Sequence, residues 1–386
     1  MIKKHSLSVL LILSSFLFFL MSPAIGFLFA VVFWCLSRLD FKYAIVPVFF
    51  GSLFFALFSS TKHPVSDLLT YHNYYYGFKD VSFSIALESL NSDFIFYAIN
   101  WLLSNYVSPS GDFFTFFWTF LVYMFFGSSL AIFFSAFSGN RLVFSLSLMY
   151  LFFIGLDLSV VNHLVRNLVA LSIVSLSFSL LILGKYRIAV SLFLMALTIH
   201  FFVVIFIVIY LIYFFRDKLN FRLIVLLMIL IASAVGFYPV DYYLSFMGGG
   251  GLLSRAYEYQ YSIPSEYNWR FYYERLIFVV TILSVLFLKG GRNIFMASVI
   301  FAYYISLLFM FRNSDVFLIR VMFSIPLVLV VSFSLIRLWT PLFFALLALS
   351  VLAPIRFVRS IGSSDSFEYL VNDGSFLFLN FMEYFY

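Results

Sequence analysis

Long apolar runs follow one another along almost the whole of this sequence, interrupted by brief polar or charged punctuation. A bilayer's hydrocarbon core is about 30 Å thick and takes roughly 17–25 apolar residues per crossing helix. The pattern therefore predicts an all-α, polytopic integral membrane protein. Crossings are expected near 7–22, 24–37, 43–59, 113–137, 142–156, 164–183, 188–199, 201–215, 222–238, 275–288, 293–311, 317–336 and 340–355, about thirteen in all. The first two are short and share the turn Ser22-Pro23. The run 188–215 is too long for one ordinary crossing, and a single crossing would carry Arg216, Lys218 and Arg222 to the wrong side. Two short crossings meeting at His200 keep the charge rule, with a re-entrant element as the alternative for either short pair.

Composition narrows the class. Of 386 residues, 64% are hydrophobic and 10% charged, against roughly 45–50% and about 25% in soluble domains. A soluble globule is excluded, because so few charges cannot cover its surface. An aromatic content of 23% opposes disorder, and one cysteine, Cys35, excludes a disulfide scaffold. The net charge of +6 is scattered at the ends of apolar runs, with no basic stripe for nucleic acid. The first run, behind Lys3 and Lys4, has the charge order of a signal peptide but no small-x-small cleavage pattern, and is expected to stay as a helix.

Placing Lys3 and Lys4 in the cytoplasm orients the chain. It becomes one membrane-embedded domain over 1–386, with external loops at about 60–112 and 239–274 and an external tail at about 356–386. Amphipathic helices lying on the outer interface are expected within 83–112, in a structural role. The external or outer-leaflet basic residues are Lys62, Lys79, Arg166, Arg255, Arg270, Arg275, Arg312, Arg320, Arg356 and Arg359, a set dominated by arginine. Arginine stays charged in low dielectric and offers a planar fork that matches phosphate oxygens. Outward arginines at membrane depth suggest a phosphorylated ligand seated near the outer headgroups, against the plainer reading of side chains snorkelling from helix ends.

Several constellations bear chemistry. On a helix, Asp67, Tyr71, Tyr74 and Tyr75 share a face, which suits a sugar; an interfacial aromatic belt with Asp67 as an N-terminal cap is the alternative. Asn162, His163, Arg166 and Asn167 gather at the mouth of an apolar helix, where Arg166 suits a diphosphate and the asparagines donate further hydrogen bonds, or where a capped turn simply forms. His200 lies between two wholly apolar stretches and needs a partner there, as ligand-orienting group, base or tie between helices. The loop after Gly248-Gly249-Gly250-Gly251 carries Arg255, Arg270 and Arg275 among tyrosines, tryptophan and glutamates, a composition suited to carbohydrate or phosphate. Arg320 sits inside a span, which by itself marks a functional site. Five scattered histidines and no paired cysteines support no metal site, and no nucleotide-binding fingerprint occurs. No cofactor is expected, so the energy must arrive with the substrate.

The order of these features resembles the EpsG-like branch of the Wzy-type polysaccharide polymerases. The likeness rests on Ser66-Asp67 with Tyr71 and Tyr75, on Arg166-Asn167 followed by Leu168, Val169 and Ala170, on Ala196-Leu197-Thr198-Ile199-His200, and on a late Arg320. It extends from about residue 43 to 336, and departs from the family in having Asn167 where a glutamine is usual. The resemblance implies a metal-independent glycosyltransferase with a membrane-embedded C-type fold in the bacterial cytoplasmic membrane, its active site facing the periplasm or exterior. It would join O-antigen, capsular or exopolysaccharide repeat units, with undecaprenyl-diphosphate-linked glycans as donor and acceptor and a flippase and chain-length regulator as partners. Arg166, Arg275 and Arg320 are then expected at the phosphates, with Asp67 first and His200 second as the base. An O-antigen ligase-type transferase and a lipid-linked oligosaccharide flippase are the alternatives.

Overall fold

The computed structural model describes residues 2–37, 39–64, 66–88, 93–137, 139–215, 299–300, 303–308, 321, 324–337, 340–362 and 381–384. These are mostly helical, joined by turns and short irregular stretches, and no strand occurs among them. They divide into two compact units, one formed by 1–204 and 333–386 and the other by 205–332.

In the first unit, α1 (Ile2–Met21) and α2 (Pro23–Leu36) form a hairpin at the turn the sequence marks. Ser22 caps α2 by accepting from the Ile25 amide, and Pro23 occupies the first helical position, where its missing donor costs nothing. Arg141, at the start of α8 (Arg141–Tyr150), donates to the Ser37 and Leu39 carbonyls and so ties down the chain beyond α2. A 3-10 turn at Phe41–Ala44 leads into α3 (Ile45–Ser60), which packs against the 27-residue α7 (Gly111–Phe137). At about 1.5 Å per residue α7 is roughly 40 Å long, more than the hydrocarbon core requires. Phe27, Phe54, Phe55, Tyr123, Phe152 and Phe153 make the centre of this unit, with Phe55 stacked on Tyr123 at 4.7 Å.

Between α3 and α7 the chain folds into α4 (Ser66–Gly77), α5 (Phe83–Glu88) and α6 (Phe94–Tyr106). Side-chain bonds to backbone join these pieces. Ser104 donates to the Tyr75 carbonyl at 2.9 Å, Asn105 to the Phe78 carbonyl at 2.8 Å, and Trp101 to the Val81 carbonyl at 2.7 Å. Asp80 takes the left-handed conformation (φ 62°) in the turn after α4, and Asn105 accepts its amide. The face of α6 turned into the protein carries Asn100 and Ser104 beside Phe96, while Phe94, Leu102 and Tyr106 are exposed, as suits a surface bordered by lipid.

After α8, a π-helical turn (Leu151–Gly155) and the short α9 (Leu158–His163) lead to α10 (Val165–Ile182), α11 (Tyr186–Ile199) and a 3-10 segment, Phe201–Phe206. Gly184 adopts φ 77° between α10 and α11, a conformation open to glycine at little cost, and reverses the chain. Arg166 lies eighteen residues before Gly184 and His200 sixteen after it, so the antiparallel pair brings both to one end of the hairpin. Along the hairpin the serines satisfy one another: Ser175 donates to Ser129 Oγ on α7, and Ser129 to the Ser175 carbonyl, both at 2.8 Å. A late helix, α14 (Pro341–Gly362), hydrogen-bonds to α8, Ser350 donating to the Leu146 carbonyl.

In the second unit, α12 (Ile207–Phe215) follows the 3-10 segment, and Tyr303 donates to the Ile205 carbonyl. α13 (Ile325–Ser334) is wholly apolar apart from its serines.

Four of these helical stretches are long and apolar enough to cross a bilayer: Phe41–Ser60, Gly111–Phe137, Val165–Ile182 and Pro341–Val358. Shorter apolar helices occupy Ser6–Met21, Pro23–Leu36, Arg141–Gly155, Tyr186–Ile199, Phe201–Phe215 and Ile325–Ser334, each at a position where the hydrophobic pattern anticipates a crossing. The expected crossings near 222–238, 275–288 and 293–311 lie wholly or largely outside the described residues. The protein is a membrane protein, built of helices without strands among the described residues.

Candidate functional site

Arg166, the second residue of α10, is the centre of the polar groups at the hairpin's open end. α9 and α10 are separate helices because Leu164 leaves helical geometry between them (φ −113°, ψ 42°), and the break frees the Arg166 side chain from a continuous helix surface. Its Nη1 donates to Asp93 Oδ2 at 2.5 Å and to the Tyr97 hydroxyl at 3.1 Å, and its Nε donates to the Tyr71 hydroxyl at 3.2 Å. The guanidinium carbon stands 5.6 Å from the Tyr71 ring centre and 5.8 Å from that of Tyr97, within reach of both π faces. Nη2 bonds to none of the described residues. A cation fixed on three sides, with its side chain 30% exposed, is thus ready to accept an anion along the remaining edge.

Asp93 and Tyr97 belong to α6. Asp93 stands at the N-terminal cap of that helix yet makes no capping bond; its carboxylate is turned onto Arg166 instead and is 8% exposed. The other oxygen, Oδ1, lies 3.8 Å from His200 Nδ1. His200 ends α11 in extended backbone geometry (φ −156°), just where the sequence interrupts the long apolar run. Its Nδ1 is buried and has no hydrogen-bond partner among the described residues. Burial pushes the Tyr71 and Tyr97 hydroxyls above the usual phenol range, with Arg166 acting in the opposite direction, so both remain neutral.

The other candidates divide. Asp67 lies exposed in the first turn of α4, one helical turn from Tyr71, and makes no hydrogen bond among the described residues. Tyr75 is turned away from Arg166: it is buried and donates to the Ser108 carbonyl at 2.5 Å. Asn162 is buried with Oδ1 accepting from Ser59 at 2.5 Å and from Thr119 at 3.4 Å, which leaves Nδ2 without a partner among the described residues. Asn167 is buried too, its Oδ1 likewise without one. The side chain of His163, and the whole of Arg255, Arg270, Arg275 and Arg320, lie outside the described residues.

Sequence reasoning missed Asp93 and Tyr97 as site residues, although a signal existed: Asp93 precedes Tyr97 by four residues, the same interval that separates Asp67 from Tyr71. Lys62 is buried beyond the end of α3, where desolvation pulls its amine down to about 8 against the pull of the Asp157 carboxylate. His72 differs from His200 in being spent on structure. It bonds Thr115 Oγ1 at 2.8 Å, and burial holds it down to about 4, so the ring is neutral at physiological pH.

No curated protein and no solved structure matches the sequence. The model of the EpsG family matches residues 43–353, which include all of the Arg166 cluster and well over half of the chain; the protein belongs to the EpsG family.

Proposed function

We propose that this protein is a polysaccharide polymerase that joins undecaprenyl-diphosphate-linked oligosaccharide repeat units on the outer side of the cytoplasmic membrane. The observation that carries the reading is the Arg166 guanidinium, fixed by Tyr71, Tyr97 and Asp93 with one edge left for a ligand. A guanidinium so held needs no reorganisation when negative charge develops on a departing diphosphate. The phenols suit the same substrate, because tyrosine offers a ring to a sugar's apolar face and a hydroxyl to its polar groups. Membership of the EpsG family supports a glycosyltransferase-like enzyme.

In the reaction, the acceptor's terminal sugar hydroxyl attacks the anomeric carbon of the donor glycan. A bond from that carbon to the acceptor oxygen forms, the bond to the phosphate oxygen breaks, and the diphosphate leaves with the electron pair beside Arg166. The acceptor's proton passes to His200, and the anomeric carbon inverts. His200 takes this role ahead of Asp67 because it shares a carboxylate with Arg166, whereas Asp67 faces outward on α4. Arg275 and Arg320 are assigned to the same lipid diphosphates, and Arg255 and Arg270 to the glycan or its phosphates, from their outward positions in the sequence.

The test is deletion of the gene, complementation with wild type or Arg166→Lys, and analysis of the lipid-linked glycans. Single repeat units accumulating on the outer side in the deletion, and persisting with Arg166→Lys, are expected. A ladder of normal length from Arg166→Lys removes the clamp. Full-length lipid-linked chains in the deletion move the assignment to a ligase, and units trapped inside move it to a flippase.

A further inference from the structure

We infer that Asp93 is a positioning residue that couples seating of the donor diphosphate on Arg166 to proton abstraction by His200. The inference rests on the polymerase reading and adds a role that the resemblance does not assign. Asp93 is nearly buried, and its two oxygens face different partners: Oδ2 meets Arg166 on α10 and Oδ1 faces His200 at the end of α11. Its place at the start of α6 would ordinarily commit it to the amides of the first turn, yet it makes no such bond. A carboxylate withheld from its own helix and shared between a cation and an imidazole is arranged for those two groups.

The coupling follows from charge. Before the donor arrives, the carboxylate is balanced chiefly by Arg166, 2.5 Å away, and has little field left for an imidazolium. A diphosphate entering along the Nη2 edge takes up much of the guanidinium's charge. The Asp93 carboxylate then becomes the anion available to His200. When the acceptor hydroxyl gives its proton to the ring, the imidazolium forms at ion-pair distance from Oδ1, with the neutral Tyr71 and Tyr97 hydroxyls holding Arg166 from the other side. Proton transfer to His200 is therefore favoured once the leaving group is in place, and an acceptor without a donor is left unreacted.

The experiment uses the purified full-length protein in lipid vesicles, with a lipid-diphosphate-linked repeat unit as donor and acceptor and the rate of dimer formation as readout. Asp93→Asn is expected to lower kcat about a hundredfold while the donor KM stays level or falls, because the amide no longer competes for Arg166. Asp93→Asn combined with His200→Gln is expected to be within about threefold of His200→Gln alone, since the two act through one step. Wild-type kcat in Asp93→Asn overturns the inference. So does a raised donor KM with unchanged kcat, or a loss that multiplies fully in the double variant; each would leave Asp93 as a brace for Arg166 only. Where Asp93→Asn does not reach the membrane, Asp93→Glu decides by the same split: a lowered kcat with level donor KM that does not multiply with His200→Gln supports the inference, and unchanged kcat, a raised donor KM, or full multiplication overturns it. Failure of the wild-type protein to form any dimer overturns the polymerase reading itself, whereas wild-type activity in Arg166→Lys removes only the clamp, so the failures are told apart.

Discussion

Two helices of this protein begin with the same interval, Asp67 to Tyr71 on α4 and Asp93 to Tyr97 at the start of α6, and their tyrosines end in equivalent places while their aspartates do not. Both hydroxyls accept from Arg166, one from Nε and the other from Nη1. Asp93 is buried on the guanidinium, whereas Asp67 stays at the exposed N-terminal turn of α4, where an anion complements the helix dipole. Four-residue spacing places an aspartate and a tyrosine on one helix face. Which face meets the cation is decided by how α4 and α6 dock. α4 is fixed through His72 to Thr115 and Tyr75 to Ser108, and this docking leaves Asp67 on the outer side.

The largest expected effect is on the carboxylates themselves. Asp93→Ala leaves the Arg166 charge without its anion. Removing one partner of a fully buried pair costs about 3–5 kcal/mol, and a guanidinium about a third exposed recovers part of that from water, so roughly 1–3 kcal/mol is expected here. Asp67→Ala, on the exposed turn, should stay within about 0.5 kcal/mol. Thermal unfolding of both variants in one detergent measures the difference, and equal losses would erase the distinction between the two helices.

The next effect concerns what holds α4 in place. A Cβ built on Gly111 falls 2.3 Å from His72 Nδ1, and this ring is pinned at its other nitrogen by Thr115. Gly111→Ala must therefore push α4 or α7 aside, at about 1–3 kcal/mol for an overpacked contact. Because Tyr71 lies one residue before His72, turnover should fall as well. Unchanged stability would show that α4 docks through Tyr75 alone.

These contrasts show what was legible in the sequence. Helix starts and breaks were, since they rest on local chemistry: Pro23 behind Ser22, Asn140 accepting from the Val143 amide, and the interruption at His200. Arg166 stood out because a charge at the mouth of an apolar helix is costly without a purpose. Asp93 did not. It lies 73 residues from Arg166, and its neighbours Phe94, Ile95 and Phe96 give the stretch the look of an interfacial helix. Its choice between capping α6 and pairing with Arg166 is made by tertiary packing. Tyr75 went the other way: its phenol was legible as sugar-facing, but it shares α4 with His72 on the side that packs against α7.

A smaller effect sharpens the equivalence of the tyrosines. Tyr97→Phe and Tyr71→Phe each remove one hydrogen bond from a charged donor but leave the ring beside the guanidinium. Loss of such a bond is worth about 1.5 kcal/mol or more, so each variant should slow turnover in the proposed reaction roughly tenfold. Because both hydroxyls hold one rigid plane, the double variant should lose less than the product of the two. Full multiplication of the single effects would mean that the tyrosines act on separate parts of the substrate.

The smallest effect lies in the seam between the two helices. Ser104 on α6 donates to the Tyr75 carbonyl near the end of α4, at 2.9 Å, and is itself buried. Such bonds in a membrane setting are worth about 0.6 kcal/mol on average, because the acceptor finds other partners when the structure loosens. Ser104→Ala should therefore move the unfolding midpoint only slightly. It should leave the rate nearly unchanged, since Asn105 and Trp101 still join α6 to the turn after α4. A drop in rate as large as that of Tyr97→Phe would mean that the two tyrosines are aligned by this one bond, and that α4 and α6 hold Arg166 as a single unit.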